Sequence, residues 1–314
     1  MKNAQRLAFA TVLATLVLIG VGVLVRATGS GLGCPDWPTC HGGAVPPNDN
    51  KAIIEYSHRF VASLVGLLVI ATAVFAWRHY RQSPIVLWTA MLAVPLVGLQ
   101  GLLGAVAVVR ELPPEVVATH LLTAMVILTF EIVVAIGMWA EDPGHRERFE
   151  SFDTPARRRL AGLSLAALGW LAVVMWVGGY MTESGASTAC EGWPLCNGSV
   201  TPANDDQEIT HMLHRYLAGA FIFLVVPVAV VAWRSRKELP WGMWVAGGLA
   251  ILYSAQVMVG ALNVWYTFPE PLTISHTVIA SLVWSTLSTG AVFGYYQLAP
   301  QRQARPMRRA EATT

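Results

Sequence analysis

The chain has 314 residues and is 54% hydrophobic but only 13% charged, whereas soluble domains carry about 25% charged residues. Its mean hydropathy is +0.51. These values exclude an ordinary soluble domain. The basic residues lie in loops between apolar runs, so the net charge of +2 gives no indication of nucleic-acid binding. We therefore expect a protein whose solvent is the lipid bilayer.

Eight apolar segments predict an all-α integral membrane protein with eight transmembrane helices, because each is long enough to cross a bilayer. The segments cover about 7–26, 58–77, 85–109, 116–140, 159–181, 212–233, 241–264 and 273–297. The first follows Lys2 and Arg6 as a signal peptide would. Its long apolar run, with no clear small-residue cleavage site after it, favours a retained helix.

One pattern occurs twice at a constant offset of 156 residues. Between residues 29 and 60, twelve positions are identical to their counterparts without a gap. Since each copy contains four helices, an even number, the sequence predicts two four-helix bundles related by a parallel repeat. The predicted units are an N-terminal half at 1–140, a cytoplasmic linker at 141–158, a C-terminal half at 159–300 and a basic tail at 301–314.

The distribution of basic residues predicts the orientation in the plasma membrane. Sixteen of the 21 lysines and arginines fall on the N-terminus, three loops and the C-terminal tail. By the positive-inside rule these segments, and so both termini, are cytoplasmic. Loops 27–57 and 182–211, which contain all four cysteines, are then extracytoplasmic.

Four histidines recur at the repeat offset and begin the even-numbered predicted helices: His58, His120, His214 and His276. All four are therefore expected near the outer membrane surface, two in each half. A single intramembrane histidine usually bonds a neighbouring helix, but two facing imidazoles in a bundle suit the axial positions of a haem iron. The absence of a carboxylate cluster disfavours a bare metal site, and without a C-x-x-C-H motif covalent haem attachment is excluded.

Glu55 breaks the repeat, because its counterpart is His211. It precedes His58 by three residues, so the two share a face if the helix extends one turn outward. A carboxylate there can act as a base, stabilise positive charge or position water. The alternative is an acidic residue favoured by the helix dipole. Arg59 and Arg215, which follow the first histidine of each half, are either haem-propionate ligands or interfacial arginines.

The cysteines form two C-x5-C pairs, Cys34 with Cys40 and Cys190 with Cys196. A Trp-Pro turn between the members can bring the sulfur atoms within bonding range, and an oxidising compartment favours disulfides. Two thiolates per loop are too few for a convincing metal site. For Cys190 and Cys196 we favour a structural role. For Cys34 and Cys40, structural and redox-active roles remain open.

With these residues in hand, the chain resembles the haem A synthase family over residues 7–297. The resemblance rests on the segment GSGLGCPDWP at 29–38 and on the motifs around the four histidines, including Glu55-x-x-His58-Arg59 and His211-x-x-His214-Arg215. The two cysteine pairs place the chain with those bacterial members of the family that have such pairs.

The resemblance implies that haem O is oxidised to haem A by successive hydroxylations of the porphyrin C8 methyl group to a formyl group. His58 and His120 would hold the substrate, with Glu55 catalytic, while His214 and His276 would hold a haem B that passes electrons. Haem O synthase is an implied partner, and an extracytoplasmic thiol-disulfide protein or a quinone would be the redox partner. The alternative is a di-haem b-type electron carrier without porphyrin chemistry.

Overall fold

A computed structural model of the protein describes residues 2–150, 154–239 and 241–296, and its regular structure there is helical. The helices are α1 (Lys2–Ala27), α2 (Asn50–His79), α3 (Pro84–Val109), α4 (Pro114–Ala140), α5 (Pro143–Glu150), α6 (Pro155–Glu183), α7 (Asp206–Ala220), α8 (Ile222–Arg234), α9 (Gly242–Trp265) and α10 (Glu270–Tyr295), with a short 3-10 helix at Ala186–Thr188.

Eight helical spans in the described part of the chain are long and apolar enough to cross a membrane, which confirms the predicted number. One of these spans, Asp206–Arg234, combines α7 and α8, which meet at Phe221. Pro227 lies inside α8. Because a proline ring interferes with the turn that precedes it, Pro227 gives a local reason for this interruption.

Two helices begin well before their apolar segments. α2 starts at Asn50 rather than near residue 58, and α7 starts at Asp206 rather than near residue 212. Each has an aspartate N-cap: Asp49 accepts a hydrogen bond from the Ala52 backbone N–H, and Asp205 accepts from two backbone N–H groups. Aspartate is a favoured capping residue because it satisfies otherwise unpaired donors of the first turn. Glu55 and His211 are therefore helical.

The predicted linker at 141–158 is not simply a loop. It contains α5, and α6 already begins at Pro155 behind the N-cap Thr154. A polar first turn carries no hydropathy signal, which explains why the apolar segment was placed later, from residue 159. The predicted tail at 301–314 lies outside the described residues.

The two halves share one packed interior. α4 contacts α6 and α10 of the other half, and α1 also contacts α10. Half or more of the apolar stretch is buried in α4, α6 and α10, against 11% in α3. The inner helices thus join the halves, while α3 faces outward.

Local structure recurs at the repeat offset in the two cysteine loops. Cys40 and Gly43 form a two-residue bridge with reciprocal backbone hydrogen bonds, and Cys196 and Ser199 form the matching bridge. The symmetry axis between the two bundles stays a prediction.

Candidate functional site

The four repeated histidines lie at one end of the bundle, about two turns into their helices. This end also carries segments 28–49 and 184–205, and we call it the loop end. His58 lies on α2, His120 on α4, His214 on α7 and His276 on α10. Because each histidine lies about two turns from the start of its helix, the four side chains lie at a similar distance from the loop end.

A glycine of a neighbouring helix lies against each histidine ring. A Cβ atom added to Gly22 would lie 3.0 Å from Cε1 of His58, and one added to Gly178 would lie 2.8 Å from Cε1 of His214. The corresponding distances are 3.3 Å for Gly104 and His120 and 3.1 Å for Gly260 and His276. Because a side chain would push against the ring, these glycines fix where the imidazoles sit.

The imidazoles suit paired axial ligation of a haem. The Nδ1 atoms of His58 and His276 are buried and have no hydrogen-bond partner. The ring centroids of His214 and His276 are 6.5 Å apart. Two imidazole nitrogens about 2 Å from one metal ion, on opposite sides, place their ring centroids roughly 6 Å apart. His58 and His120 are also close enough to interact electrostatically.

A bare metal site is less compatible with the arrangement. Within the described residues there is no group of three or more histidine, cysteine, aspartate or glutamate side chains that could hold a metal ion. Two imidazoles per half leave the remaining ligands to be supplied by the bound group, as a porphyrin does.

Glu55 is buried beside the first cysteine loop, with 3% of its surface exposed. Its Oε2 accepts a hydrogen bond of 2.7 Å from the backbone N–H of Cys34, and its Oε1 accepts one of 2.5 Å from Arg59. An ionised carboxylate has about four lone-pair sites, so two of them remain for a further donor. Glu55 is therefore held in one orientation and keeps acceptor capacity next to the His58 turn.

His211 takes the equivalent place in the second half. Arg215 Nη2 lies 2.9 Å from His211 Nε2, and His211 Nδ1 lies 3.1 Å from the carbonyl oxygen of Ala186. An arginine can only donate, so Nε2 accepts and Nδ1 carries the hydrogen that bonds Ala186. The second half thus contains a neutral ring where the first contains a carboxylate.

Both repeated arginines fasten a cysteine loop to a helix. Arg59 donates to the carbonyl oxygens of Asp36, Thr39 and Cys34 at 2.7–2.8 Å. Arg215 donates in the same way to backbone carbonyls of the second loop, including that of Gly192 at 2.7 Å. Neither arrangement is the free interfacial arginine considered from the sequence.

Both predicted disulfides are present. The Cα atoms are 4.6 Å apart in Cys34–Cys40 and in Cys190–Cys196, and all four residues are at most 1% exposed. Thiol exchange needs access to a sulfur atom. Burial of the Cys34–Cys40 pair therefore favours its structural role over exchange with another protein.

Asp36 orders the first loop from within. Its carboxylate accepts hydrogen bonds from the hydroxyl of Thr39 and from the backbone N–H groups of His41 and Gly42. These bonds, that of Thr39 foremost, lower the pKa of Asp36 from 3.8 to about 2. Because the pKa is lowered, the hydrogen bonds of the ionised Asp36 contribute fully to stability above its ordinary pKa of 3.8. This contribution is lost as the pH falls through about 2.

Three polar residues near the histidines were missed or underrated from the sequence. Gln256 Nε2 lies 3.1 Å from Nε2 of His276, so this glutamine reaches the site. Arg26, on α1, interacts electrostatically with His276. It forms an ion pair with Glu183 of α6 at 3.8 Å but makes no side-chain hydrogen bond within the described part of the chain. No repeated motif marks Arg26 or Glu183.

Residues 5–288 match the COX15-CtaA family, whose description is cytochrome oxidase assembly protein. The chain belongs to this family. Relatives include proteins called heme A synthase from Shouchella clausii, Symbiobacterium thermophilum and Geobacillus kaustophilus, which are 31%, 32% and 30% identical to the chain. The alignments cover 91%, 92% and 91% of this chain and 95%, 94% and 90% of those relatives. Family membership and the eight apolar spans identify a multi-pass membrane protein.

Proposed function

We propose that the chain is an oxidoreductase that converts haem O into haem A, the activity for which its relatives are named. The C8 methyl group of the porphyrin would be hydroxylated successively and end as a formyl group. The observation that carries the proposal is the asymmetry of the two halves. Both supply two imidazoles, but only the first has a carboxylate, Glu55, three residues before its first histidine, where the second has His211.

In this proposal the N-terminal half, residues 1–140, is the reactive one, with haem O between His58 and His120. Glu55 acts on the reacting methyl group as a base or by positioning a polar reactant. The hydrogen bonds from Cys34 and Arg59 support this role, because they orient the carboxylate before substrate binds. Arg59 is then a positioning residue that acts through Glu55 and the loop.

The C-terminal half, residues 159–300, would hold haem B between His214 and His276. When bound, haem B supplies a one-electron centre. The 6.5 Å spacing of the two rings supports this assignment. We propose Arg26 as a cation for a propionate of this haem, since its guanidinium lies near His276 with unused donors. Arg59 and Arg215, the candidates from the sequence, bond loop carbonyls through their Nη groups, and Nε of Arg215 has no partner, so a propionate contact by Arg215 stays a prediction.

The membrane arrangement is part of the proposal. The positive-inside rule places both termini in the cytoplasm and the loop end outside the cell membrane. Haem O synthase would then deliver the substrate, and a quinone or an extracytoplasmic thiol-disulfide protein would take the electrons.

The experiment compares Glu55→Gln with the unmodified protein, each co-expressed with haem O synthase. Glutamine keeps the size of the side chain but cannot take up a proton, so haem O and haem B should stay bound while haem A falls by about a hundredfold. Chromatography of the extracted haems measures all three. Glu208→Gln changes an acid in the first turn of α7 that bonds the second cysteine loop; it is the matched control and should leave the haem A yield unchanged.

A normal haem A yield from Glu55→Gln would contradict the catalytic role. If the unmodified protein forms no haem A while haem O is available, the di-haem electron carrier becomes the better account. Its four histidines would be the same, and Glu55 would serve only the loop.

A further inference from the structure

A polar cluster is buried in the middle of the N-terminal half, away from the histidines. It consists of Thr11 and Thr15 on α1, Thr72 on α2 and Glu131 on α4, all at most 7% exposed. Thr15 donates a hydrogen bond of 2.9 Å to Oε1 of Glu131. The hydroxyl oxygens of Thr11 and Thr72 are 3.1 Å apart.

A cavity adjoins the cluster, and Glu131 is one of the residues that line it. Oε2 is buried without a hydrogen-bond partner, and Thr11 and Thr72 line the same cavity among alanines and valines. The centre of a water molecule has about 10 Å³ of room there, which is enough for roughly one water molecule. No other acid or base lines this cavity.

The cavity presents acceptors and needs a donor. Thr11 donates to the carbonyl oxygen of Leu7, so the bond between the two hydroxyls is donated by Thr72. The free lone pairs of Thr72 and of Glu131 Oε2 then face the cavity without a hydrogen to share. Water, or the proton of a neutral carboxyl group, supplies that hydrogen, and the neutral acid is the form favoured in an apolar interior without a cation.

The second half fills the same positions with apolar side chains. The counterparts of the cluster at the repeat offset are Ala167, Leu171, Val228 and Leu287. All four are buried. The four-helix frame therefore packs well without these polar groups, and burying a carboxyl group costs free energy unless it has a use.

Glu131 lies between the histidine site and the opposite end of the bundle. It follows His120 by eleven residues on α4, which corresponds to about 16 Å along the helix axis. Toward the opposite end, Gln5 on α1 donates to the Met138 carbonyl oxygen at 3.0 Å and to Asp142 at 3.2 Å. Gln5 and Met138 lie on the same two helices as Thr11 and Glu131, six and seven residues closer to that end.

We propose that Glu131, Thr11, Thr15 and Thr72 form a site that binds one water molecule and exchanges a proton with it. The carboxyl group gives its proton to the bound water while that water releases one of its own protons to bulk water, which leaves a carboxylate and a neutral bound water. The reverse step restores the acid, and no group is oxidised or reduced. A change of charge at the haem sites shifts this equilibrium, and that coupling alone rests on the proposed function.

The test is infrared difference spectroscopy of the holoprotein in membranes, recorded between the oxidised and reduced haem states. We expect a carbonyl stretch of a protonated carboxyl group that shifts in D2O. Glu131→Gln should remove it, while Glu55→Gln should retain it. Thr15→Val should move the band, because the hydrogen bond to Oε1 is lost. An unchanged band in Glu131→Gln, or no carboxyl band in the unmodified protein, would overturn the proposal.

A second variant separates proton exchange from packing. Glu131→Leu introduces the residue of the second half, and we expect normal haem content with haem A formation reduced roughly tenfold. Loss of haem content, or a full rate of haem A formation, would contradict the proton site. If Glu131→Gln fails to fold, Thr15→Val is used for the test, and an unchanged carboxyl band in that variant overturns the proposal. Failure of the unmodified protein to form haem A counts against the proposed function instead, since the band is observed without haem O.

Discussion

Glu55 and His211 occupy equivalent places and differ in one chemical respect. Each side chain bonds the arginine four residues later, and each is held by a backbone group near the cysteine loop. The carboxylate is an acceptor only, while the imidazole is neutral because it both donates and accepts. A shared structural role thus explains why both halves have a polar residue at this position. The carboxylate in place of an imidazole is the reason for assigning chemistry to the first half.

At the residue scale, Gly178→Ala should lower the content of haem B. The added methyl group would lie 2.8 Å from Cε1 of His214, so the ring must move from the position proposed for haem ligation. We expect loss of most of the low-spin haem B absorption in the purified protein. Gly169→Ala on the same helix is the control, because no atom lies within 4 Å of its added Cβ. Equal haem content in both variants would contradict the proposal that Gly178 positions the His214 ring for haem binding.

Arg26→Gln should lower the midpoint potential of haem B. A positive charge near His276 stabilises the reduced iron, and its removal should cost on the order of 1 kcal/mol, which is tens of millivolts. Redox titration of the haem absorption measures the change. Arg78→Gln, at the far end of α2, should leave the potential unaltered; a potential that Arg26→Gln does not lower would remove this residue from the haem site.

At the element scale, each cysteine loop and the helix after it form one unit. An aspartate cap begins the helix, a disulfide closes the loop, and an arginine from the third turn of the helix bonds the loop carbonyls. The unit needs all three because the loops, at 28–49 and 184–205, carry little apolar surface of their own. Their role is to hold Glu55 and His211, which lie three residues before the first histidine of each half.

The double variant Cys34→Ser, Cys40→Ser tests whether the first disulfide is structural. We expect haem A formation to continue while the protein unfolds more easily, by about 2 kcal/mol for so short a loop. Thermal denaturation and haem extraction measure the two effects. The pair Cys190→Ser, Cys196→Ser should behave similarly. Loss of all haem A at normal haem content, in the first variant only, would instead establish a redox role for Cys34 and Cys40.

The sequence predicted the apolar interiors of the helices better than their ends. Hydropathy identified all eight spans, because the bilayer requires long apolar runs. It missed the outer turns of α2 and α7, since residues such as Lys51 and Gln207 are polar although helical. It also missed α5, whose eight residues are too polar and too short to produce a hydropathy signal.

At the scale of the whole molecule, one sequence pattern occurs twice, and the two copies differ at a few polar positions. Both halves have two histidines, each with a glycine of a neighbouring helix against its ring. The acids Glu55 and Glu131 belong to the first half alone. Comparing the copies position by position revealed Glu55 in the sequence, because it adjoins a repeated histidine. Glu131 and Arg26 required the structure, since their importance depends on contacts between helices distant in the chain.

Oxidation of haem O by the protein is tested most directly by the composition of the haems that it carries. The protein would be purified after co-expression with haem O synthase, and its extracted haems would be separated and weighed by mass spectrometry. We predict haem A or its hydroxylated intermediate together with haem B. Haem B alone, with haem O demonstrably present in the membranes, would contradict the account.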